Sequence, residues 1–471
     1  MDRFTSVVSV KAYLSTQIEH GFFADDPVFL PMNINLGDMS QEGSGWHDLL
    51  AVIDFAGKYV SLDLEPCLMS GTRFGGDWPK TGKNKIVSIV LPNAATTMLS
   101  FNSISILAQI EGMYISTIDN NAFSNCIALK NVNFPAATEI GRDAFSNCIA
   151  LKNVSFPAAA SIREHAFYCC TALESISFPA AASIREHAFY CCTALKSVSF
   201  PASASLDSEP FYDCPLLASI DIMGSGRLSV IEAGKILVKD NSVLVAYPSA
   251  SGSITVDSVR SIGESAFSGC AALKCVSFPA VSSIGEGAFS GCTALESVNF
   301  PAATEICNSA FYRCTALTNV NFPAVTEICN SAFYRCTALT NVNFPAVNSI
   351  GRYAFSGCTA LKNMSFPTLN SIGRYAFNST GNMALTISMG KSAPEADIDL
   401  FYNISNGKII TVRVPIDAEG YVPTGTAIPA AYSGTNAAVC WGNGFRGRAW
   451  NGTGFTSSNV NNYITLNIEY Q

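Results

Sequence analysis

Residues Ala122–Asp143 read AFSNCIALKNVNFPAATEIGRD, and the same pattern begins again at Ala144. Its phenylalanine, Phe123, recurs every 22 residues, with one interruption between Phe211 and Phe267. The anchors are Phe101, Phe123, Phe145, Phe167, Phe189, Phe211, Phe267, Phe289, Phe311, Phe333, Phe355 and Phe377. A fixed period in the range of about 20–29 residues, with a Leu-x-x-hydrophobic-x-hydrophobic run, is typical of leucine-rich repeats. The sequence therefore predicts a solenoid of stacked coils.

Each repeat has the pattern of a short strand followed by a tight turn. Val132 and Phe134 alternate with polar residues, which predicts a strand with these two side chains inward. Pro135 has no N–H to donate and ends the strand. Ile140 points inward again, and Asp143 opens a short helical or 3₁₀ turn. We therefore expect an α/β solenoid, a right-handed leucine-rich-repeat coil with one parallel β-sheet.

Several repeats are near copies of their neighbours. Ser155–Ile176 and Ser177–Val198 differ at two positions, and Asn299–Val320 and Asn321–Val342 differ at one. Recent tandem duplication explains this likeness. The recurrence of a side chain is therefore not by itself evidence that it was selected for chemistry.

Five regions follow from where the period holds and where it fails. Lys235–Lys239 and Val243–Ala246 flank the turn pair Asp240-Asn241, which predicts a β-hairpin island inside the solenoid. The expected regions are an N-terminal αβ cap at 1–85, a first repeat block at 86–218, the hairpin island at 219–261, a second repeat block at 262–390 and a C-terminal β cap or module at 391–471.

The two ends have their own secondary-structure signals. Near the start, strand-like Val28–Leu30 is followed by a helical run at Leu49–Phe55 and a second strand at Val60–Leu64. At the other end, Ile409–Pro415 and Ile464–Ile468 read as strands around a loop rich in Gly, Ser, Thr and Asn. Such segments can cover the exposed first and last coils, as a solenoid requires.

The composition excludes several classes of partner. Charged residues make up only 14% of the chain and the net charge is −8, with no Lys/Arg-rich run. Nucleic acid needs a clustered cationic footprint, so we expect no nucleic-acid partner. No apolar stretch is long enough to span a membrane. Met1–His20 lacks the pattern of a secretory signal, so either the chain is not exported or its signal has been removed.

The repeats resemble a known family. Ser283–Pro301, SIGEGAFSGCTALESVNFP, is similar to the BspA-like leucine-rich repeats of bacterial surface proteins, and the likeness covers roughly residues 86–390. The hairpin island is similar to interruptions in that family, and the flanks, including Trp441–Arg448, resemble the ends of spirochaete members. The resemblance implies a cell-surface or secreted location and binding to host matrix proteins, epithelial cells or other bacteria. It implies no catalytic motif.

Cysteines recur with the same period as the anchors. Ten of the 17 lie three residues after an anchor, at Cys126, Cys148, Cys170, Cys192, Cys214, Cys270, Cys292, Cys314, Cys336 and Cys358. The equivalent positions hold Ile104 and Thr380, so the site accepts small inward-facing side chains. Stacked side chains leave Cβ atoms near ~4.8 Å apart, whereas a disulfide needs about 3.8 Å. We expect a column of reduced, buried thiols.

Metal binding and catalysis have little support. His165, Cys169, His187 and Cys191 contain ligand types suited to zinc, but the tandem duplication produces the same quartet without a metal. The four histidines lie beside no nucleophile motif, and no hydrolase, zinc-protease or phosphate-loop pattern occurs. We expect no catalytic residues, no metal and no cofactor.

The solvent side of the sheet is the main candidate site. Its predicted binding residues, on the concave strand face, are Asn131, Asn133, Asn153, Ser155, Asn299, Asn319, Asn321, Asn341 and Asn343. This uncharged surface is rich in hydrogen-bond donors and acceptors and suits a glycan or an extended peptide. The alternative is that these are ordinary solvated strand residues.

A second candidate surface lies on the opposite side, where tyrosines follow the anchors. They are Tyr168, Tyr190, Tyr212, Tyr312 and Tyr334, with Arg313 and Arg335 beside the last two. Tyrosine and arginine are common in the energetic centres of interfaces, although these side chains can also serve only to pack the coils.

Together these features predict a non-enzymatic surface binding or adhesion protein. Its expected partner is a host extracellular-matrix or cell-surface protein, or a glycan, and we expect the protein to be a monomer. The alternative is a structural surface or spacer protein without a dedicated ligand, and an enzyme is a distant third.

Overall fold

The computed structural model describes residues 2–76, 81–380, 384–390, 395–396, 408–414, 454–456 and 463–470. The chain divides into two compact units, Met1–Leu237 and Val238–Gln471. Both units contain stacked coils in which equivalent residues 22 positions apart lie side by side, such as Val154 beside Ile176 and Val298 beside Val320. This register confirms the predicted parallel-strand leucine-rich-repeat solenoid.

The first unit begins with helical structure. It contains α-helices at Val7–Thr16 and Gly45–Ala56 and a 3₁₀ turn at Lys83–Lys85. The second helix includes the predicted run Leu49–Phe55. Ser44 caps its start by accepting a hydrogen bond from the His47 N–H, and Gly57 ends it with a left-handed φ of 65°. The first helix, capped by Ser6, had not been predicted.

Strands of the first unit run parallel in two sets. The longer strands are Val28–Pro31, Val60–Asp63, Ile86–Val90, Gln109–Glu111, Asn131–Asn133, Asn153–Ser155, Ser175–Ser177, Ser197–Pro201 and Ser219–Met223. Strand Leu228–Ile231 lies outside these two sets and neighbours Ile236–Lys239 in its sheet. A second ladder of two-residue strands comprises Arg73–Phe74, Thr97–Met98, Thr117–Ile118, Glu139–Ile140, Ser161–Ile162, Ser183–Ile184 and Ser205–Leu206. The predicted inward residue Ile140 lies in this second ladder and is fully buried.

The division between the units falls inside strand Ile236–Lys239, the first strand of the predicted hairpin. It is joined by a tight turn to Val243–Ala246. Asp240 and Asn241 take left-handed φ values of 51° and 53°, as a two-residue hairpin turn of the predicted type requires.

The second unit continues with the same two sets of strands. Its longer strands are Gly252–Thr255, Leu273–Ser277, Ser297–Asn299, Asn319–Asn321, Asn341–Asn343, Asn363–Phe366, Ala384–Met389, Lys408–Val414, Gly454–Thr456 and Tyr463–Tyr470. The two-residue strands are Ser261–Ile262, Ser283–Ile284, Glu305–Ile306, Glu327–Ile328, Ser349–Ile350, Ser371–Ile372 and Glu395–Ala396.

The C-terminal strands lie close to their predicted positions. Lys408–Val414 and Tyr463–Tyr470 pair in parallel, and Gly454–Thr456 pairs antiparallel to the second of them. Two sequence interpretations, Pro415 as the end of a strand and the family-like stretch Trp441–Arg448, lie outside the described residues.

The core of each unit is a pair of phenylalanine columns. All twelve anchors are at most 3% exposed, and their rings stack on those of neighbouring coils, as Phe311 does on Phe289 and Phe333 at 5.2 and 5.3 Å between centroids. The phenylalanine at the end of each strand forms the second column; Phe322 lies 5.8 Å from Phe311. Burying these rings supplies the main hydrophobic stabilisation of the coils.

The segment around each anchor, which was predicted to be a short helical or 3₁₀ turn, keeps three-residue hydrogen bonds but alternates them with bonds to the next coil. Ala122, Ser124 and Cys126 donate their N–H groups three residues back, whereas Phe123 and Asn125 donate to the next coil, at Ala144 and Ser146. Asn125 also takes a left-handed φ of 61°. The segment is therefore a series of turns bonded sideways to its neighbours, because alternate N–H groups pair between coils instead of along a helix.

Candidate functional site

The outward side chains of the longer strands form a polar surface, which we call the Asn/Ser face. In strand Asn341–Asn343 both asparagines are exposed, whereas Val342 between them is 4% exposed. The same alternation places Ser175 and Ser177 outward around the buried Ile176. The period-two side-chain direction of a strand thus separates core from surface as predicted.

Most of the predicted binding residues are accessible. Those exposed to solvent are Asn131, Asn133, Ser155, Asn319, Asn321, Asn341 and Asn343. Asn299 is half-buried, and Asn153 is the first residue of strand Asn153–Ser155. Their position on the Asn/Ser face makes them available for contact, and a binding role for them is still a prediction.

Asparagines of the second unit are held in place by their neighbours one coil away. The Asn321 side-chain amide donates to the Asn299 side-chain oxygen at 2.6 Å, and Asn363 donates to Asn341 at 2.7 Å. Asn299 in turn donates to Ser277 at 3.0 Å. Since a primary amide has two N–H donors and two lone pairs, each of these bonds leaves capacity for a ligand.

Two threonines that were overlooked in the sequence orient the amides of Asn319 and Asn341. The Asn319 and Asn341 side chains donate to the hydroxyls of Thr318 and Thr340, at 3.0 and 3.2 Å. These hydroxyls immediately precede each asparagine in the chain. A Thr-Asn pair repeated 22 residues apart was the available signal.

A groove of about 580 Å³ runs over this part of the second unit. Asn319, Asn321, Asn341 and Asn343 all line it. Beyond the predicted set, its lining includes Asn363, Ser365, Thr386, Ser388 and Arg413, which belong to the strands that follow Asn341–Asn343 in its sheet. The structure therefore brings four of the nine predicted residues into one depression.

The first unit has a smaller depression of about 360 Å³ on its Asn/Ser face. Ser155 lines it together with the serine pairs of the next two strands, and Asp221 adds a carboxylate. Ser177 and Ser199 share a hydrogen bond of 2.8 Å across it. Its lining does not include Asn131 or Asn133, although strand Asn131–Asn133 contacts strand Asn153–Ser155 in the next coil.

The second candidate surface contains two tyrosine columns, one in each unit. In the first, Tyr168 stacks on Tyr190 and Tyr190 on Tyr212, with centroids 4.9 and 4.8 Å apart. In the second, Tyr312 and Tyr334 stack at 5.1 Å. The columns pack the coils together, and the tyrosines stay half-buried.

Among the described residues, arginines lie over tyrosines in the second unit and not in the first. Arg313 and Arg335 had been identified from the sequence. Two further pairs had not: Arg352 lies over Tyr353, and Arg374 lies over Tyr375. These two pairs precede their anchor phenylalanines, whereas Tyr312 and Tyr334 follow theirs. A comparison of residues at the same position of each 22-residue repeat therefore did not align them. The stretch Gly-Arg-Tyr-Ala-Phe, repeated at Gly351 and Gly373, was the signal.

The His/Cys quartet of the first unit has an arrangement of its own. The rings of His165 and His187 stack 5.3 Å apart, and His187 Nε2 lies 2.7 Å from a carboxylate oxygen of Glu209. Within the described ranges of the chain, no group of three or more His, Cys, Asp or Glu side chains is placed to hold a metal ion. The histidines are arranged as a stack with a carboxylate partner.

The ten-cysteine column is buried as predicted. Each thiol also has a hydrogen-bond acceptor in the preceding coil; Cys148 donates to the Phe123 carbonyl and Cys314 to that of Phe289, at 3.2 and 3.1 Å. Burial raises the pKa of Cys126 to about 12. A buried thiol with a high pKa is unreactive, so this column serves packing.

No helix in the described part of the chain has the length and apolar character needed to cross a membrane.

The comparisons with known proteins agree with this architecture. No curated protein matches the chain. A leucine-rich cell surface protein from Faecalibacterium prausnitzii is similar in structure, with 28% identity, a TM-score of 0.52, and coverage of 62% of this chain and 82% of that one. A leucine-rich repeat protein from Bacteroides ovatus has 25% identity, a TM-score of 0.51, and coverage of 72% and 87%.

The family assignment rests on the repeats themselves. The family described as BspA type leucine rich repeat region matches residues 85–231, 249–346 and 326–417. These ranges cover more than half of the chain and include both repeat blocks. The chain belongs to the BspA-type leucine-rich repeat family.

Proposed function

We propose that this protein is a non-catalytic binding or adhesion protein that acts at the cell surface or after secretion. The observation that carries the proposal is the groove of the second unit, where Asn319, Asn321, Asn341 and Asn343 present amides from adjacent strands. Its partner is an extracellular-matrix or cell-surface protein, or a glycan. The cell-surface description of the Faecalibacterium prausnitzii relative supports the location.

The chemistry of the groove favours a neutral, extended, hydrogen-bonding partner. Among the described residues, Arg413 is the only charged side chain in its lining, and amides and hydroxyls supply both donors and acceptors. Each contact is individually weak because the amides must be taken out of water. Repetition of similar contacts along the coils would then supply the affinity.

The test replaces four groove asparagines, Asn319, Asn321, Asn341 and Asn343, with lysine. Binding of the purified protein to a glycan and matrix-protein array, and to cells, is measured for the wild type and the variant. We expect the variant to lose binding while keeping its circular dichroism spectrum and melting temperature, because exposed strand positions contribute little to stability.

A matched control adds the same charge elsewhere on the second unit. Thr304, Thr326, Asn348 and Asn370 form an exposed column with the same 22-residue spacing but outside the groove. Lysines at these four positions should leave binding intact. Full binding by the groove variant would reject the Asn/Ser face as the site, and a wild type that binds nothing on the array would favour the spacer alternative.

A further inference from the structure

The second unit carries a row of arginine–tyrosine pairs on the side around its anchors. The guanidinium carbons of Arg313 and Arg335 lie 5.2 and 5.4 Å from the ring centroids of Tyr312 and Tyr334. This is the distance of a cation–π contact. Each arginine is thus oriented by a ring of its own coil.

The next two coils continue the row. Arg352 and Arg374 lie 4.9 and 4.5 Å from the centroids of Tyr353 and Tyr375. The Tyr353 ring makes an edge contact with Tyr334 at 6.5 Å and stacks on Tyr375 at 4.9 Å. The four pairs, in consecutive coils, therefore form one continuous surface, which we call the Arg/Tyr strip.

The same arginine–tyrosine contact arises from two different orders of the two residues in the sequence. Arg313 follows its tyrosine and takes a left-handed φ of 58°, whereas Arg352 precedes Tyr353, which takes the left-handed φ of 56°. Tandem copying explains Arg335 from Arg313, but it does not convert one placement into the other. Both placements also put a non-glycine residue at a backbone conformation that favours glycine.

The strip is positively charged in an acidic protein. Residues 301–380 contain five basic and two acidic side chains, a net charge of +3, whereas the whole chain carries −8. One of the two acids, Glu305, accepts hydrogen bonds from the thiols of Cys307 and Cys329. In the part of the chain that the structure describes, Arg313, Arg335 and Arg352 form no ion pair with a carboxylate.

The backbone beneath the strip is already paired. The N–H of Ser309 donates to Asn330 and that of Arg313 to Tyr334, at 2.9 and 2.8 Å. An extended peptide cannot add to this edge as a strand, because strand addition needs free backbone groups. A ligand must therefore be recognised by side chains alone, which here offer guanidinium groups and phenolic hydroxyls.

We propose that the Arg/Tyr strip binds an acidic polysaccharide, whose sulfate or carboxylate groups pair with the arginines and whose hydroxyls meet the tyrosine edges. Guanidinium groups are suited to bidentate contact with such oxyanions, and stacking on tyrosine restricts the arginines before binding. The strip lies on different residues from the Asn/Ser face, so the two sites bind independently.

The test measures the affinity of the full chain for a sulfated heparin octasaccharide. The variant is Arg313→Gly with Arg335→Gly, because Gly291 and Gly357 occupy the same coil position in the neighbouring coils with φ of 75° and 76°. We expect binding to weaken about tenfold, and the wild-type affinity to fall with added salt. A neutral oligosaccharide of equal length should not bind.

The control removes two arginines from the first unit, by Arg163→Ser with Arg185→Ser. These side chains pair with Glu139 and Asp207, so the net charge changes equally while the strip stays intact, and affinity should be unchanged. The proposal fails if the wild type does not bind the octasaccharide, if both variants weaken it equally, or if poly-glutamate binds more tightly. If the glycine variant loses the circular dichroism spectrum of the folded protein, the variant Arg313→Lys with Arg335→Lys is measured instead. We expect this variant to bind partially.

Discussion

Tyr190 in the first unit and Tyr334 in the second occupy the same position of the coil, one residue after an anchor, and each stacks on a tyrosine one coil away. Their neighbours differ. Around Tyr190 lie His187, paired with Glu209, and the half-buried Cys191. Beside Tyr334 lies Arg335, which makes no ion pair with a carboxylate among the described residues.

The backbone beneath the two columns is the same. The N–H of Cys169 donates to Tyr190 and that of Arg313 to Tyr334, both at 2.8 Å, and both residues are left-handed, with φ of 53° and 58°. The hydrogen bonds between coils thus fix the turn whatever side chain it carries. Side-chain chemistry at these positions can change without altering the fold, because the phenylalanine columns maintain it.

The largest effect we expect is unfolding at alkaline pH, in both units together. Burial raises the pKa of Cys126 in the first unit, and of Cys270 and Cys358 in the second, from the ordinary 9.0 to about 12. An unfolded thiol therefore ionises before a folded one. The protonated thiols therefore stabilise the folded state fully below pH 9.0. As the pH rises toward the pKa of the folded thiols, the free energy of unfolding falls by about 1.4 kcal/mol per pH unit for each thiol.

Circular dichroism against pH measures this transition. The variant Cys292→Ala with Cys314→Ala removes two such thiols and should shift the midpoint upward relative to a wild type titrated in parallel. An unshifted midpoint would mean that other groups cause the alkaline unfolding.

The next largest effect compares equivalent anchors. Phe145 and Phe311 are both fully buried and both stack on two neighbouring anchors. Replacing either with alanine should lower the free energy of unfolding by roughly 3–5 kcal/mol, through lost burial and the cavity that remains. Denaturant unfolding of the two variants is the measurement. A large loss in one unit and none in the other would show that the columns are not equivalent.

A smaller effect is expected from the left-handed turn position. Gly291→Ala should lower the free energy of unfolding by about 1 kcal/mol, because an L side chain is strained at its φ of 75°. Arg313→Gly should relieve the same strain, with a gain reduced by the entropy of glycine in the unfolded chain. Equal stability of Gly291→Ala and the wild type, in thermal melts, would contradict this reading of the turn.

The smallest effect concerns the Asn/Ser face. Asn321→Ala in the second unit and Ser177→Ala in the first each remove one side-chain hydrogen bond between coils, at 2.6 and 2.8 Å. Because these groups can bond to water instead, each change should alter the free energy of unfolding by less than about 0.5–1 kcal/mol. Losses as large as that of Phe311→Ala would contradict the assignment of inward and outward residues.

The period predicted the fold, because a residue that recurs every 22 positions must stack on itself in a solenoid. The same reasoning placed Ile140 and Cys148 inward and Asn341 outward. It did not predict that the turns around Phe123 pair sideways, since backbone hydrogen bonds between coils leave no side-chain signature. Helix Val7–Thr16 was missed because it lies outside the repeats.

The candidate site was predicted less completely than the fold. Strand alternation identified Asn319 and Asn343 as outward, but it could not show that Arg413 from a later strand reaches the same groove. The row of arginines was only half recognised, because Arg352 and Arg374 lie at a different coil position from Arg313. The stacking of the coils brings these arginines together, and positions in the sequence repeat alone do not show it.

The most direct test of the account moves the arginines from one unit to the other. In the Arg313→Gly, Arg335→Gly background, Cys169→Arg and Cys191→Arg are introduced. Glu209→Gln and Asp213→Asn are added to remove the carboxylates beside His187 and Cys191, and affinity for the heparin octasaccharide is measured. We predict that binding returns and that the melting temperature stays within a few degrees, on the order of 1 kcal/mol. A folded variant that does not bind, or one that unfolds, would contradict the claim that the coil is common to both units and that its turn side chains decide the ligand.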